Sequence, residues 1–275
     1  NYNVCVGDEA GTAIDTGDSN VAVGYAALDA NSTGSNNIAV GFAALGANTT
    51  ASNNVAVGYA ALDANTTGTQ NIAVGFSALT ANTTANSNIA IGTNALAANT
   101  TGANNTAVGE NVMAANTEGV NNVALGYIAL DADTKGNQST ALGYAALSAQ
   151  NFTSSTASQN TAVGYSAGED ITTGVSNTLL GANAGANLTD ADNNVAIGYG
   201  SLDADTLGSR STAIGYLTLS TQNFESATNA YNVAVGFQAG YGVTTGLTNT
   251  LIGSLTHNNL TTGDLNISVG YSNGP

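Results

Sequence analysis

Short apolar strings alternate with polar ones on a fixed beat along this chain. "NNIAVGFAALGANTT" (36–50) is followed by "NNVAVGYAALDANTT" (53–67) and "NIAVGFSALTANTT" (71–84). The glycine that closes each Val-Ala-Val-type string recurs every 17 residues from Gly7 to Gly143, then at Gly164, Gly181, Gly198, Gly215, Gly236, Gly253 and Gly270. Two intervals, 143–164 and 215–236, are 21 residues long. Residues 1–275 therefore read as one array of 16 units, and periodicity of this kind is the signature of a stacked repeat architecture. Seventeen residues leave no room for a strand, a return helix and two turns. They suit one coil of an all-β parallel solenoid, with coils about 4.8 Å apart. "GYAAL" has a helical look, but the glycines and the Asn/Thr punctuation leave no sustained period of 3.6.

Positions can be counted from each glycine as zero. Position −1 is Val, Ile or Leu and position −3 is Val, Ile or Thr in the repeat units. This predicts that both point into the core, because alternate strand residues share a face. Position +4 is usually Leu (Leu28, Leu45, Leu62). Where it is Gly11, Gly168, Gly185, Gly240 or His257, position +7 becomes Ile14, Ile171, Leu188, Val243 or Leu260; elsewhere +7 is Asn, Asp or Gln. Such an exchange is expected of two slots sharing a narrow core of fixed volume. Asn stands at −4 in all units except those of Ser139 and Ser211, which predicts an amide ladder at one bend of the coil.

Parity then sends the residue at −2 outward. It is alanine at Ala22, Ala39, Ala56, Ala73, Ala90 and Ala107, and a solvated strand face would normally carry larger polar residues. The expectation is a self-association stripe of small apolar groups. Tyr or Phe follows most of the glycines (Tyr25, Phe42, Tyr59, Phe76) and predicts a second ladder at a corner, able to stack between coils or fill a subunit seam.

The string N-x-A-x-G-Y-x-A-L-x-x-N-T-T-G resembles the 17-residue repeats of bacterial surface proteins and phage tail fibres. More distantly, it is similar to the heads of YadA-like trimeric autotransporter adhesins. The resemblance implies a left-handed parallel β-roll assembled as a homotrimer. Residues 1–275 carry only repeats, and the membrane anchor, coiled-coil stalk and trimerisation domain of the resembling family are expected outside them.

Charge narrows the partners. Two basic residues, Lys135 and Arg210, face 18 acidic ones for a net charge of −16, so nucleic acid and anionic membranes are poor partners. No apolar run approaches the 18 residues of a membrane span. Cys5 is the only cysteine, which rules out an intrachain disulfide. One Lys, one Arg and one His give little inventory for catalysis, and His257 reads as a packed residue. The pairs Asp131/Asp133 and Asp203/Asp205 are candidates for Ca²⁺, without the glycine-rich nonapeptide of calcium β-rolls; no other cofactor is implied.

The two long units, "SAQNFTSSTASQN" (148–160) and "STQNFESATNAYN" (220–232), lie 72 residues apart and belong to a duplicated four-coil block. Their Phe152 and Phe224 are candidates for exposed binding-loop aromatics. The reading is an extracellular, non-enzymatic fibre segment of an adhesin or tail fibre, on a cell surface or virion, that spaces and presents loops to a host or surface receptor. An array in register at both ends fits a piece of a longer fibre or a subunit stacking end to end into a filament or matrix. Ice binding by the Thr-Thr ladder (Thr49–Thr50, Thr66–Thr67) is a third reading, weakened because adjacent threonines point to opposite faces.

Overall fold

The computed structural model describes residues 2–272; Pro275, the only proline, lies outside them. The chain is an all-β parallel solenoid of about 16 turns, with no helix among the described residues. Each turn contributes one three-residue strand ending just before the repeat glycine, from Val4–Val6 to Ile267–Val269. Neighbouring strands pair parallel and in register, Val21 with Ile38, Ala22 with Ala39 and Val23 with Val40. Two compact units are distinguished, Asn1–Asn137 with Thr153–Ser155, and Gln138–Phe152 with Thr156–Pro275. Within each the coils repeat the same construction.

Inter-coil hydrogen bonding continues past the strand. Ala43 N–H donates to the Tyr25 carbonyl one coil back (2.9 Å), and Leu45 N–H donates to the Ala61 carbonyl one coil on (3.0 Å). The "GYAAL" segment therefore spends its amides on neighbouring coils, which is why it is not helical. Its path needs left-handed backbone at +2 and +4, as at Ala26 (φ 52°) and Leu28 (φ 54°). The glycine at position zero is obligatory. At Gly24 φ is +131°, and a Cβ there would collide with the Gly41 carbonyl.

The side chains reverse the expected parity. Ala22, Ala39, Ala56, Ala73, Ala90 and Ala107 are all fully buried, whereas Ile38, Ile72, Val123, Leu125 and Leu180 are exposed. The alanine stripe is the inner wall of the coil and cannot be a self-association surface; the Val/Ile columns at −3 and −1 face out. The reason is volume. The coil is so thin that Leu28, Ala27, Asn31 and Asn20, all fully buried, occupy the space facing the strand. Only a methyl fits at the strand's centre. Where the centre is larger, the opposite slot gives way: a Cβ on Gly185 would lie 2.7 Å from Leu188 Cδ1 and 2.9 Å from Leu179 Cδ2. The exchange between +4 and +7 is thus present, and it is a three-way exchange that includes −2. Cys5 belongs to it as well, its Sγ lying 2.6 Å from where a Gly11 Cβ would be.

Two buried amide ladders line the coil. At −4, Asn20 accepts at Oδ1 from the Asn37 N–H of the next coil (2.9 Å) and donates from Nδ2 to the Gly34 carbonyl at the far corner of its own (2.9 Å). At +7, Asn48 donates to Asn31 Oδ1 (2.7 Å), Asn82 to Asn65 (2.9 Å) and Asn99 to Asn82 (3.0 Å). The first ladder matches expectation, with its donor turned across the coil at Asn20 and reaching the neighbouring amide as well at Asn177 and Asn249.

Candidate functional site

The outward strand face is where this fold departs most from an ordinary soluble surface. Three columns lie side by side: Val/Ile/Thr at −3, Val/Ile/Leu at −1, and the aromatics at +1. The Val, Ile and Thr of the first two, being β-branched, suit a pleated strand, and the core has no room for them. In the first unit the rings from Tyr25 to Phe76 form a continuous stack, with centroids of Tyr25–Phe42 5.3 Å apart, Phe42–Tyr59 5.0 Å and Tyr59–Phe76 5.1 Å. The second unit has Tyr144–Tyr165 at 5.0 Å and the run Tyr199–Tyr216–Phe237 at 5.5 and 5.3 Å. Each stacked ring remains about half exposed, Tyr59 at 50% and Phe76 at 53%.

The stacking decides what this face can do. Rings inside a stack cover one another's faces and present only edges to solvent, so they are not platforms for sugar rings or bases. What they offer is edge contact and apolar area, about 100 Å² per half-exposed ring. The four stacked rings of the first unit alone amount to about 400 Å², within the ~300–600 Å² of the largest patch on a typical monomer, and the flanking Val and Ile columns add to it.

The other candidate residues fall elsewhere. Phe152 and Phe224 are buried, 6% and 5% exposed, and are not loop-tip aromatics. A Cβ on Gly208 would lie 2.7 Å from Phe224 Cδ2, so the ring covers a glycine corner of the preceding coil. The solvent-facing residues of the two long loops are instead small and polar, such as Ser154, Ser155 and Ser226. The aspartate pairs split between environments. Asp133 and Asp205 sit fully inside at +7, in the slot of the amide ladder, while Asp131 and Asp203 are only half-buried. Among the described residues no three His, Cys, Asp or Glu side chains gather as a metal site would require. Burial raises the carboxyls of Asp131 and Asp203 above the usual carboxylate range. It does the same to Asp205, opposed by the donors around that group. His257 is half-buried beside Leu260, its Nδ1 enclosed without a hydrogen-bond partner.

The threonine ladder is partly spent on the fold. Thr49 Oγ1 donates to the Thr66 carbonyl and Thr66 Oγ1 to that of Thr83, which leaves Thr50 and Thr67 as the exposed rank. A ladder at +11 carries no obvious sequence motif, because Ser, Asn and Asp all serve in it. Ser52 Oγ accepts from Ser35 N–H, Asn86 Oδ1 from Thr69 N–H and Asp192 Oδ1 from Val175 N–H. Lys135 pairs with Glu118 at 2.9 Å. No helix is long and apolar enough to cross a membrane among the described residues. No protein-family model, curated protein or solved structure matches the chain.

Proposed function

We propose that this chain is a segment of an extracellular, non-enzymatic structural fibre, of the adhesin or tail-fibre kind, whose copies associate side by side through the Val/Ile/aromatic face. The observation that carries the reading is that face itself: exposed Ile38 and Ile72 in a column flanked by the rings of Tyr25 to Phe76. A surface this apolar on so acidic a chain is costly to leave in water, and a second copy offers the same columns at the same spacing. Coil-to-coil hydrogen bonds make such a segment stiff, which suits a spacer that holds loops away from a surface. The homotrimer of the resembling adhesin heads is the preferred stoichiometry.

Sedimentation tests it. The wild-type chain should run as an oligomer, and Tyr59→Glu with Ile72→Glu should yield monomers of unchanged β-sheet signal. A monomeric wild type at tens of micromolar, or a charged variant that stays associated, would remove the reading.

A further inference from the structure

The buried carboxylate of Asp205 has no cation beside it and replaces an asparagine of the +7 ladder. The structure assigns it a purpose shared with three other residues. We propose that Asp205, Ser211, Gln222 and Phe224 form a coil-lengthening joint, a compensated set that lets one coil carry four extra residues without opening the core.

The route of the chain shows what has to be compensated. In regular coils the N–H groups after position +7 donate to the next coil, as Ser32 and Thr33 do to the Thr49 carbonyl. Above Asp205 the register slips: Thr66 Oγ1 in a regular coil donates to the Thr83 carbonyl at the next coil's +8, but Thr206 Oγ1 donates to the Phe224 carbonyl one residue further on (3.0 Å). The carboxylate gathers the donors that this slip brings to the corner. Asp205 Oδ1 accepts from Gly208 N–H (3.0 Å) and Phe224 N–H (3.3 Å), and Oδ2 from Gln222 Nε2 (2.5 Å). An asparagine offers one acceptor atom where three donors converge, whereas a carboxylate offers two oxygens.

The remaining members follow from reach and volume. Gln222 stands where regular coils have Asn; one methylene longer, it spans Asp205, Ser211 Oγ (3.1 Å) and, through Oε1, Asn232 Nδ2 (2.8 Å). Ser211 replaces the asparagine of the −4 ladder, and the smaller side chain leaves space for that longer amide. Phe224 then closes the corner over Gly208. The same four residue types recur at the same offsets as Asp133, Ser139, Gln150 and Phe152, around the other long coil. There Gln150 Nε2 again meets Ser139 Oγ (3.2 Å) and Asn160 Nδ2 again donates to Gln150 Oε1 (2.8 Å). Aspartate occupies +7, and serine −4, only at these two places in the chain.

Amide hydrogen exchange on the full chain tests the joint. Asp205→Asn installs the residue the column carries elsewhere. It should speed exchange of the Gly208 and Phe224 amides at least about tenfold, while Asp203→Asn leaves them unchanged. If the Asp205 variant does not fold, a deletion pair decides. Removing residues 225–228 should lower the unfolding midpoint in the wild-type background. It should be tolerated when Asp205→Asn, Ser211→Asn, Gln222→Asn and Phe224→Thr, with Asn229→Gly at the position where regular coils carry Gly or Ala, restore a regular coil. Unaltered exchange at both amides, or a deletion equally tolerated in both backgrounds, would overturn the proposal.

Discussion

Asn82 Nδ2 donates to Asn65 Oδ1 across 2.9 Å, and both side chains are fully buried. Asn65 in turn donates to Asn48 Oδ1 (3.2 Å) and to the Gly68 carbonyl (2.9 Å). A polar ladder inside a dry coil leaves a buried group unpaired wherever a rung loses its neighbour, as at the end rung, Asn116 Oδ1. Asn65→Ala strips three bonds and strands buried groups above and below, so it should cost about 2–4 kcal/mol. Thr67→Ala, in the exposed rank of the same coil, should stay within about 0.5 kcal/mol. Urea denaturation of the two variants checks the contrast.

Gly185, Leu188 and Leu179 share one volume, and their substitutions should couple. Gly185→Ala overpacks the slot and should cost about 1–3 kcal/mol; Leu188→Ala empties it at about 2–5 kcal/mol. In the double variant the new methyl enters the vacated space, so the loss should be smaller than the sum of the single losses. Strict additivity would mean the slots are independent.

Ala60 has φ of 50° and is half-buried, whereas its neighbour Ala61 is fully buried outside the left-handed region. Glycine should therefore act oppositely at the two sites. Ala60→Gly releases left-handed strain and should be neutral or stabilising by up to about 1 kcal/mol, while Ala61→Gly should destabilise by about 1 kcal/mol. Paired thermal melts distinguish them.

Stability should fall as pH rises from mild acid, opposite to ordinary acid denaturation. Burial holds the carboxyls of Asp63, Asp131, Asp203 and Asp205 above their unfolded values. A group raised in the folded state binds its proton more tightly there. Its stabilisation is complete below the unfolded value of about 3.9 and is lost as pH rises through the folded value. Asp18, held low by backbone N–H donors at Tyr2 and Ser19, contributes in the opposite sense. Melting temperatures measured from pH 4 to 8 should decline, and Asp203→Asn should flatten the slope.

The 17-residue glycine period, the asparagine column and the +4/+7 exchange determined, from sequence alone, a parallel β-solenoid and much of its interior. Each is a local demand that few residue types meet: a backbone without Cβ at Gly24, a buried amide at Asn37, a fixed volume between Gly185 and Leu188. Strand parity was legible too, since Ala56 differs in face from Val55 and Val57. Which face is inside was not, because alternation separates two faces without ranking them. Hydrophobicity alone would bury the valines. The tertiary structure decided otherwise, because Leu62 and Asn65 reach in from the facing walls and leave only a methyl's width at Ala56. The sequence did hold the deciding signal, in the coincidence of Cys5 with Gly11, Leu179 with Gly185 and Leu251 with His257. Its meaning depends on knowing that those positions meet across the coil. Phe224 turned inward for the same reason: the Gly208 corner it covers is supplied by the coil before it, a neighbour only the folded stack provides.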